Sequence, residues 1–151
     1  MDVMRVLRRI ELFHTVTDEQ LTRIAAICRL EEYNEGEVIL KQDSPGDTMY
    51  VIAQGQVEVG RVDEEGDFFP FVYLGDGQVF GEVALLDHGR RTASVRADVD
   101  GTVVHAIDRD AFLSLCREDT ALGFAVMFNL ATDLAFKLRH NSAGELYADK
   151  R

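Results

Sequence analysis

Glu82 and Arg91 stand on either side of a glycine-bearing loop, and they are the side chains best placed by type and spacing to do chemistry. They belong to the run Phe80-Gly81-Glu82-Val83-Ala84-Leu85-Leu86, a polar loop from Asp87 to Arg90, and the run Arg91-Thr92-Ala93-Ser94-Val95. The pattern reads as strand, glycine, acid, one apolar helical turn, loop, arginine pair, strand. Amides that open a helical turn lack partners and sit at the positive end of its dipole, which suits a phosphate. An arginine that follows can grip two oxygens in a fork. An ionised Glu82 only accepts hydrogen bonds, so it repels phosphate and suits neutral donors such as sugar hydroxyls. Together the two describe a site for a nucleotide with one negative charge and a free hydroxyl.

The rest of the chain makes this segment an exception. Of 151 residues, 16 are basic and 27 acidic, for a net charge of −11. Such a field repels DNA, RNA and anionic membranes. Residues 88–96 carry Arg90, Arg91 and Arg96 with no carboxylate among them. His14, His88, His105 and His140 are scattered, which argues against a metal-dependent barrel enzyme. Cys28 and Cys116 supply neither an iron–sulfur cluster nor a haem attachment motif. No catalytic constellation and no cofactor is expected. Arg5, Arg8 and Arg9 are followed by no apolar signal core, and the expected setting is the reducing cytoplasm. The most apolar stretch, 121–136, is interrupted by Asn129, Thr132 and Asp133 and falls short of the roughly 20 residues that cross a bilayer.

The positioning elements follow from periodicity. Residues 2–13 predict a helix with Val3, Val6, Leu7 and Ile10 on one face. Thr17 to Gln20 forms a capping box opening a helix that carries Leu21, Ile24, Ala25 and Cys28. From residue 30 to 107 short runs alternate with glycine-bearing breaks, at 37–40, 49–53, 56–62, 68–74, 78–80, 94–97 and 102–107. This spacing predicts a β-sandwich or barrel, and the lack of βαβ alternation excludes a parallel doubly wound sheet. Helical periodicity returns with Asp108 as N-cap of a short helix. A longer helix then runs from about 119 to about 141. Phe124, Met127, Ala131, Leu134 and Leu138 follow heptad spacing, with Leu122, Val126, Phe128 and Leu130 as a second stripe. Two apolar sides call for two partners: the barrel and, in the reading preferred here, the same helix of a second subunit.

The cassette from Phe80 to Leu86 and from Arg91 to Val95 resembles the phosphate-binding cassette of the cyclic-nucleotide-binding domain family. Leu12-Phe13, Tyr33 to Ile39, Gly46 to Ile52 and Gly55 to Val59 are similar to that family's other motifs, in order, so the resemblance covers nearly the whole chain. It implies a mainly β domain with flanking helices: a double-stranded β-helix or jelly-roll β-roll at 30–107, N-terminal helices at 1–29, and C-terminal helices at 108–141. It implies a regulatory sensor and no enzyme. Glu82 matches the glutamate on the ribose 2′-hydroxyl, Gly81 the glycine beside the ribose, and Arg91 the arginine on the cyclic phosphate. Thr92 and Ala93 match amides near the phosphate, and Val83, Ala84 and Leu85 the cassette helix. Leu74 and Val79 are expected wall contacts. Arg139, Asn141 and Ser142 are expected over the base. Two positions depart from the family: Asp43 replaces a frequent glycine and Arg90 a frequent proline.

The resemblance implies cAMP as ligand, with cGMP left open because Thr92 is compatible with either. The alternative is a scaffold or dimerisation module of the same fold that binds nothing. The expected switch draws the cassette inward and closes the last helix over the base, with Leu85 and Leu86 carrying movement to Phe112, Leu115 or Leu122. After that helix about ten residues remain, too few for a DNA-reading module. The chain is therefore expected to be either a free-standing sensor that acts by contact with an unidentified downstream protein or a fragment of something longer.

Overall fold

The computed structural model describes residues 2–87, 89 and 91–140. Helices α1 (Val3–Arg8) and α2 (Asp18–Ala26) precede eight strands. These are β1 (Cys28–Tyr33), β2 (Val38–Leu40), β3 (Thr48–Gln54), β4 (Gln56–Val62), β5 (Phe68–Gly75), β6 (Val79–Phe80), β7 (Ser94–Ala97) and β8 (Thr102–Asp108). Helices α3 (Arg109–Glu118) and α4 (Thr120–His140) close the described chain. The strands form two four-stranded sheets, ordered β1-β8-β3-β6 and β2-β7-β4-β5, with every pairing antiparallel. Neither sheet follows chain order, as a jelly roll requires.

Two apolar cores share this frame. One lies between the sheets, around Ile52, Val57, Phe80, Val95, Val104 and Ala106. The other lies between β3, β8 and the helices, around Phe13, Ile24, Met49, Leu85, Phe112, Leu122 and Val126. Strand β3 serves both because its alternate side chains face opposite layers. It reads as a continuous buried run from Thr48 to Ala53 for that reason.

The helical expectation for 2–13 is corrected. Arg9 and Ile10 donate to Val6 and Leu7, three residues back, and Ile10 is extended at φ −84°. A separate 3-10 turn, Glu11–Phe13, then drops Leu12 and Phe13 into the core. Cys28, assigned to α2 by its spacing, opens β1 opposite Ile107. The capping box of α2 is present: Thr17 Oγ1 accepts from the Gln20 amide at 3.1 Å, and Gln20 Oε1 accepts from the Thr17 amide at 2.9 Å. Asp108 occupies the N-cap of α3 without bonding its amides, because its carboxylate accepts from Arg29 and Thr48 instead.

Helix α4 is divided differently from the heptad reading. Leu122, Gly123, Val126 and Leu130 are buried. Gly123 permits this, since a Cβ there would lie 2.9 Å from the Cys116 Cβ. Met127 and Leu134 are half-buried, whereas Phe128, expected on the inner stripe, is 59% exposed. Phe124, Phe136 and Leu138 are exposed with it. The helix has 21 residues, long and apolar enough by those criteria to cross a membrane, which corrects the shorter estimate. Its inner face is bound to the domain, and Asn129 Nδ2 donates to the Leu12 carbonyl at 3.0 Å and to Thr15 Oγ1 at 2.9 Å.

Candidate functional site

Gly81 ends the short strand β6 in a left-handed conformation, φ +77°, and turns the chain into the 3-10 turn Glu82–Leu85. Positive φ is costly for any residue with a Cβ. Gly81 also has no room for one: a Cβ would lie 2.9 Å from Arg91 Nη1 and 3.0 Å from the Thr48 carbonyl oxygen. Leu85 is buried in the helical core with Phe112, Leu115 and Leu122, which anchors the turn from beneath. Leu86, the expected companion relay residue, is 47% exposed. With only one turn the helical dipole is small, so positive charge for a phosphate must come from a side chain.

Arg91 supplies it. The segment before β3 pins its backbone: the Arg91 amide donates to the Ser44 carbonyl and the Asp43 amide to the Arg91 carbonyl, both at 2.8 Å. Asp43 sits there with φ +69°, so the substituted aspartate keeps the geometry a glycine would take. The guanidinium then lies along Gly46 and Gly81. A Cβ on Gly46 would be 2.8 Å from Arg91 Nε. Nη2 donates to the Thr48 carbonyl at 2.6 Å, while the buried Nε has no hydrogen-bond partner. Burial pulls the Arg91 pKa down, and Tyr50 and Asp47 offset part of that. The cation is thus held in place, partly stripped of water and incompletely satisfied.

Glu82 is the second charge. It is 9% exposed, and Lys137 of α4 donates to its Oε2 at 3.1 Å. Lys137 also reaches Asp133 at 3.1 Å. Burial works to lower the Lys137 pKa, but the charges and hydrogen bonds of Glu82 and Asp133 outweigh it, and the net direction is upward. Glu82 thus accepts from an ammonium group of α4.

Arg91, Glu82 and Lys137 rim a cavity of about 830 Å³. Its walls include Leu40, Val59, Val72, Leu74, Val79, Phe80 and Val95, and α4 contributes Leu130, Leu134 and Leu138. An apolar cleft of roughly 300–1,000 Å³ with a few convergent polar groups is the usual form of a small-molecule site. Gly81, Glu82, Val83, Ala84, Arg91, Thr92, Ala93, Leu74 and Val79 all line it, so the sequence-derived set is gathered in one place. Arg139 is exposed and outside the lining. Asn141, Ser142, His88 and Arg90 lie outside the described residues. Arg96 donates from Nε to Glu58 at 2.8 Å with its guanidinium 4.0 Å above the Phe68 ring. Among the described residues, no group of three or more His, Cys, Asp or Glu side chains could hold a metal ion.

Sequence reasoning missed Lys137 and Gly46. Gly46 entered only as a turn glycine, although its lack of a side chain makes room for Arg91. Lys137 had a local signal, since it pairs with Asp133 one turn back on an otherwise apolar helix face.

The fold and the cavity define a jelly-roll module with a cation, Arg91, at the rim of an apolar cleft. Residues 30–119 match the cyclic nucleotide-binding domain family, and the chain belongs to it. It is 34% identical over 128 residues to the cyclic AMP receptor protein of Thermus thermophilus, a match covering 85% of this chain and 57% of that protein. It is 32% identical over 114 residues to a cGMP-dependent protein kinase of Caenorhabditis briggsae, covering 75% of this chain and 15% of the kinase. Among solved structures, the N-terminal domain of a transcriptional regulator from Streptomyces coelicolor superposes with a TM-score of 0.79 at 25% identity, covering 89% of this chain and 96% of that domain. The chain thus spans about half of one relative and a small part of the other.

Proposed function

We propose that this domain is a non-catalytic sensor that binds cAMP, with cGMP as the alternative ligand, and passes occupancy to an unidentified partner through α4. The observation that carries the reading is Arg91: a half-buried guanidinium with an unpartnered Nε, caged by two glycines at the rim of an apolar cavity. Holding a cation that way costs desolvation, and an anion in the cavity offsets it. In this reading Arg91 and the amides of Thr92 and Ala93 hold the cyclic phosphate, while Glu82 accepts from the ribose 2′-hydroxyl. Leu74 and Val79 flank the base. Thr92 does not discriminate the two nucleotides, and the relatives include both a cAMP receptor and a cGMP-dependent kinase.

The switch in this reading is a shift between two positions of the cassette and α4, biased only by differential affinity for them. Leu85 is the mechanical link, being packed beneath the turn and against α3 and α4. The exposed stripe of Phe124, Phe128 and Leu138 supports a homodimer along α4. Two free cysteines support a reducing cytoplasmic setting, and the net charge of −11 argues against nucleic-acid or anionic-membrane partners.

Calorimetric titration with cAMP and with cGMP, beside Arg91→Ala, tests the proposal. Micromolar or tighter binding that Arg91→Ala abolishes is expected, and the tighter ligand identifies the signal. Flat titrations with both, on protein freed of co-purified nucleotide, would leave the fold without this function.

A further inference from the structure

The carboxylate assigned to the ribose hydroxyl is already engaged. Glu82 Oε2 accepts from Lys137 at 3.1 Å, and this contact joins the cassette to the last turns of α4. A buried carboxylate neutralised by an ammonium is a weaker acceptor for a neutral hydroxyl than a bare one, and separating the pair leaves a charge to compensate. Two features keep that cost low. The hydroxyl takes over as donor to Glu82, and Asp133 stands 3.1 Å from Lys137, one helical turn back and half exposed. Lys137 can leave Glu82 without losing its only counter-charge. Lys137 touches both carboxylates at once, one on the cassette and one on its own helix, and can give up the first while keeping the second.

We propose that Lys137 is a positioning residue that couples the ligand's sugar to α4: it occupies Glu82 in the free protein, tethers α4 to the cassette, and gives up Glu82, keeping Asp133, only to a ligand whose 2′-hydroxyl donates to Glu82. This rests on the nucleotide reading above. A ribonucleotide releases the tether when it binds, and a 2′-deoxyribonucleotide cannot, because it offers Glu82 no donor. The same cavity then signals only for the ribose form.

The test has one arm that needs no ligand. Amide hydrogen exchange across residues 134–140 of the nucleotide-free chain should speed up about tenfold, a free-energy change of about 1.4 kcal/mol, in both Lys137→Met and Glu82→Gln. Lys137→Arg should keep the slow rate. The second arm titrates cAMP and 2′-deoxy-cAMP. Lys137→Met should bind cAMP several-fold more tightly and leave the deoxy form unchanged, so that the ribo-to-deoxyribo ratio rises. Wild-type exchange rates in Lys137→Met and Glu82→Gln would overturn the tether, and an unchanged or smaller ratio would overturn the displacement of Lys137 by the 2′-hydroxyl. If neither nucleotide binds wild-type protein, the nucleotide reading fails while the exchange arm still decides whether the tether exists.

Discussion

Replacing Gly81 by alanine separates two costs that Gly101 allows to be measured apart. Both residues have positive φ, +77° and +74°, so alanine at either pays the left-handed penalty of about 1–2 kcal/mol, partly returned by a stiffer unfolded chain. They differ in surroundings. A Cβ on Gly101 meets nothing within 4 Å, whereas one on Gly81 lies 2.9 Å from Arg91 Nη1 and 3.0 Å from the Thr48 carbonyl. Thr48 is locked in the β3–β8 ladder, so the guanidinium must give way. It then loses its 2.6 Å bond to the same carbonyl and its aim into the cavity. A charge-assisted hydrogen bond is worth about 1.5–3 kcal/mol, and each 1.4 kcal/mol is about tenfold in affinity. Gly101→Ala should therefore lower unfolding stability by about 1 kcal/mol and leave cyclic-nucleotide affinity within about twofold. Gly81→Ala should lose more stability and about 10- to 100-fold in affinity. Urea unfolding and calorimetry on the pair read both quantities. Equal affinities for the two variants would refute the assignment of Arg91 as the anion ligand positioned by Gly81.

Three further perturbations probe the frame around the site. Thr17→Ala removes the hydroxyl that accepts from the Gln20 amide, leaving the residue-17 amide bonded to Gln20 Oε1, and should cost about 1 kcal/mol in chemical unfolding with ligand affinity unchanged. Phe128→Asp places a charge on the exposed stripe of α4; sedimentation should show a dimer for wild type and a monomer for the variant, with the thermal midpoint nearly unchanged. Burial lowers the pKa of His105, whose Nε2 is buried without a partner, so the unfolded chain binds its proton more readily. Stability should then fall as pH drops below about 6.5, and His105→Leu should flatten that slope in urea titrations at successive pH values.

The parts of this molecule that were legible in its sequence are those whose physics is local. The cassette could be read because a glycine, a carboxylate, an apolar turn and an arginine follow one another within one segment. The capping box of α2 is local in the same way. Strand β1 was not legible, since its apolar Leu30 is exposed while Glu31 is half-buried, and its first residue continues the helical spacing of Leu21 and Ile24. The orientation of α4 was not legible either. Its apolar side chains surround the helix, and only the close approach to Cys116 at Gly123 settles which face turns inward. Asp43 looked like a lost glycine, yet its amide donates to the Arg91 carbonyl while the Arg91 amide donates to the Ser44 carbonyl, and this segment carries Asp43 at positive φ.

The site resolves the problem set by an acidic chain that binds an anion. A net charge of −11 opposes any phosphate at long range, but the opposition is screened over roughly 8 Å at physiological ionic strength. Within that distance local pairing decides the matter, and the pairing of Arg91 and Lys137 is unequal. Lys137 is matched twice, by Glu82 and Asp133, so it offers an anion little. Arg91 has a carbonyl, a partly buried shell and one empty donor. In the proposed reading an anion entering the cavity is drawn to Arg91 rather than spread across the rim, and the hydroxyl beside it meets Glu82. Charge then selects the phosphate, and the displacement of Lys137 reads the sugar. These are separate tests performed by one short segment, which is why a helix more than forty residues further along the chain can be coupled to both.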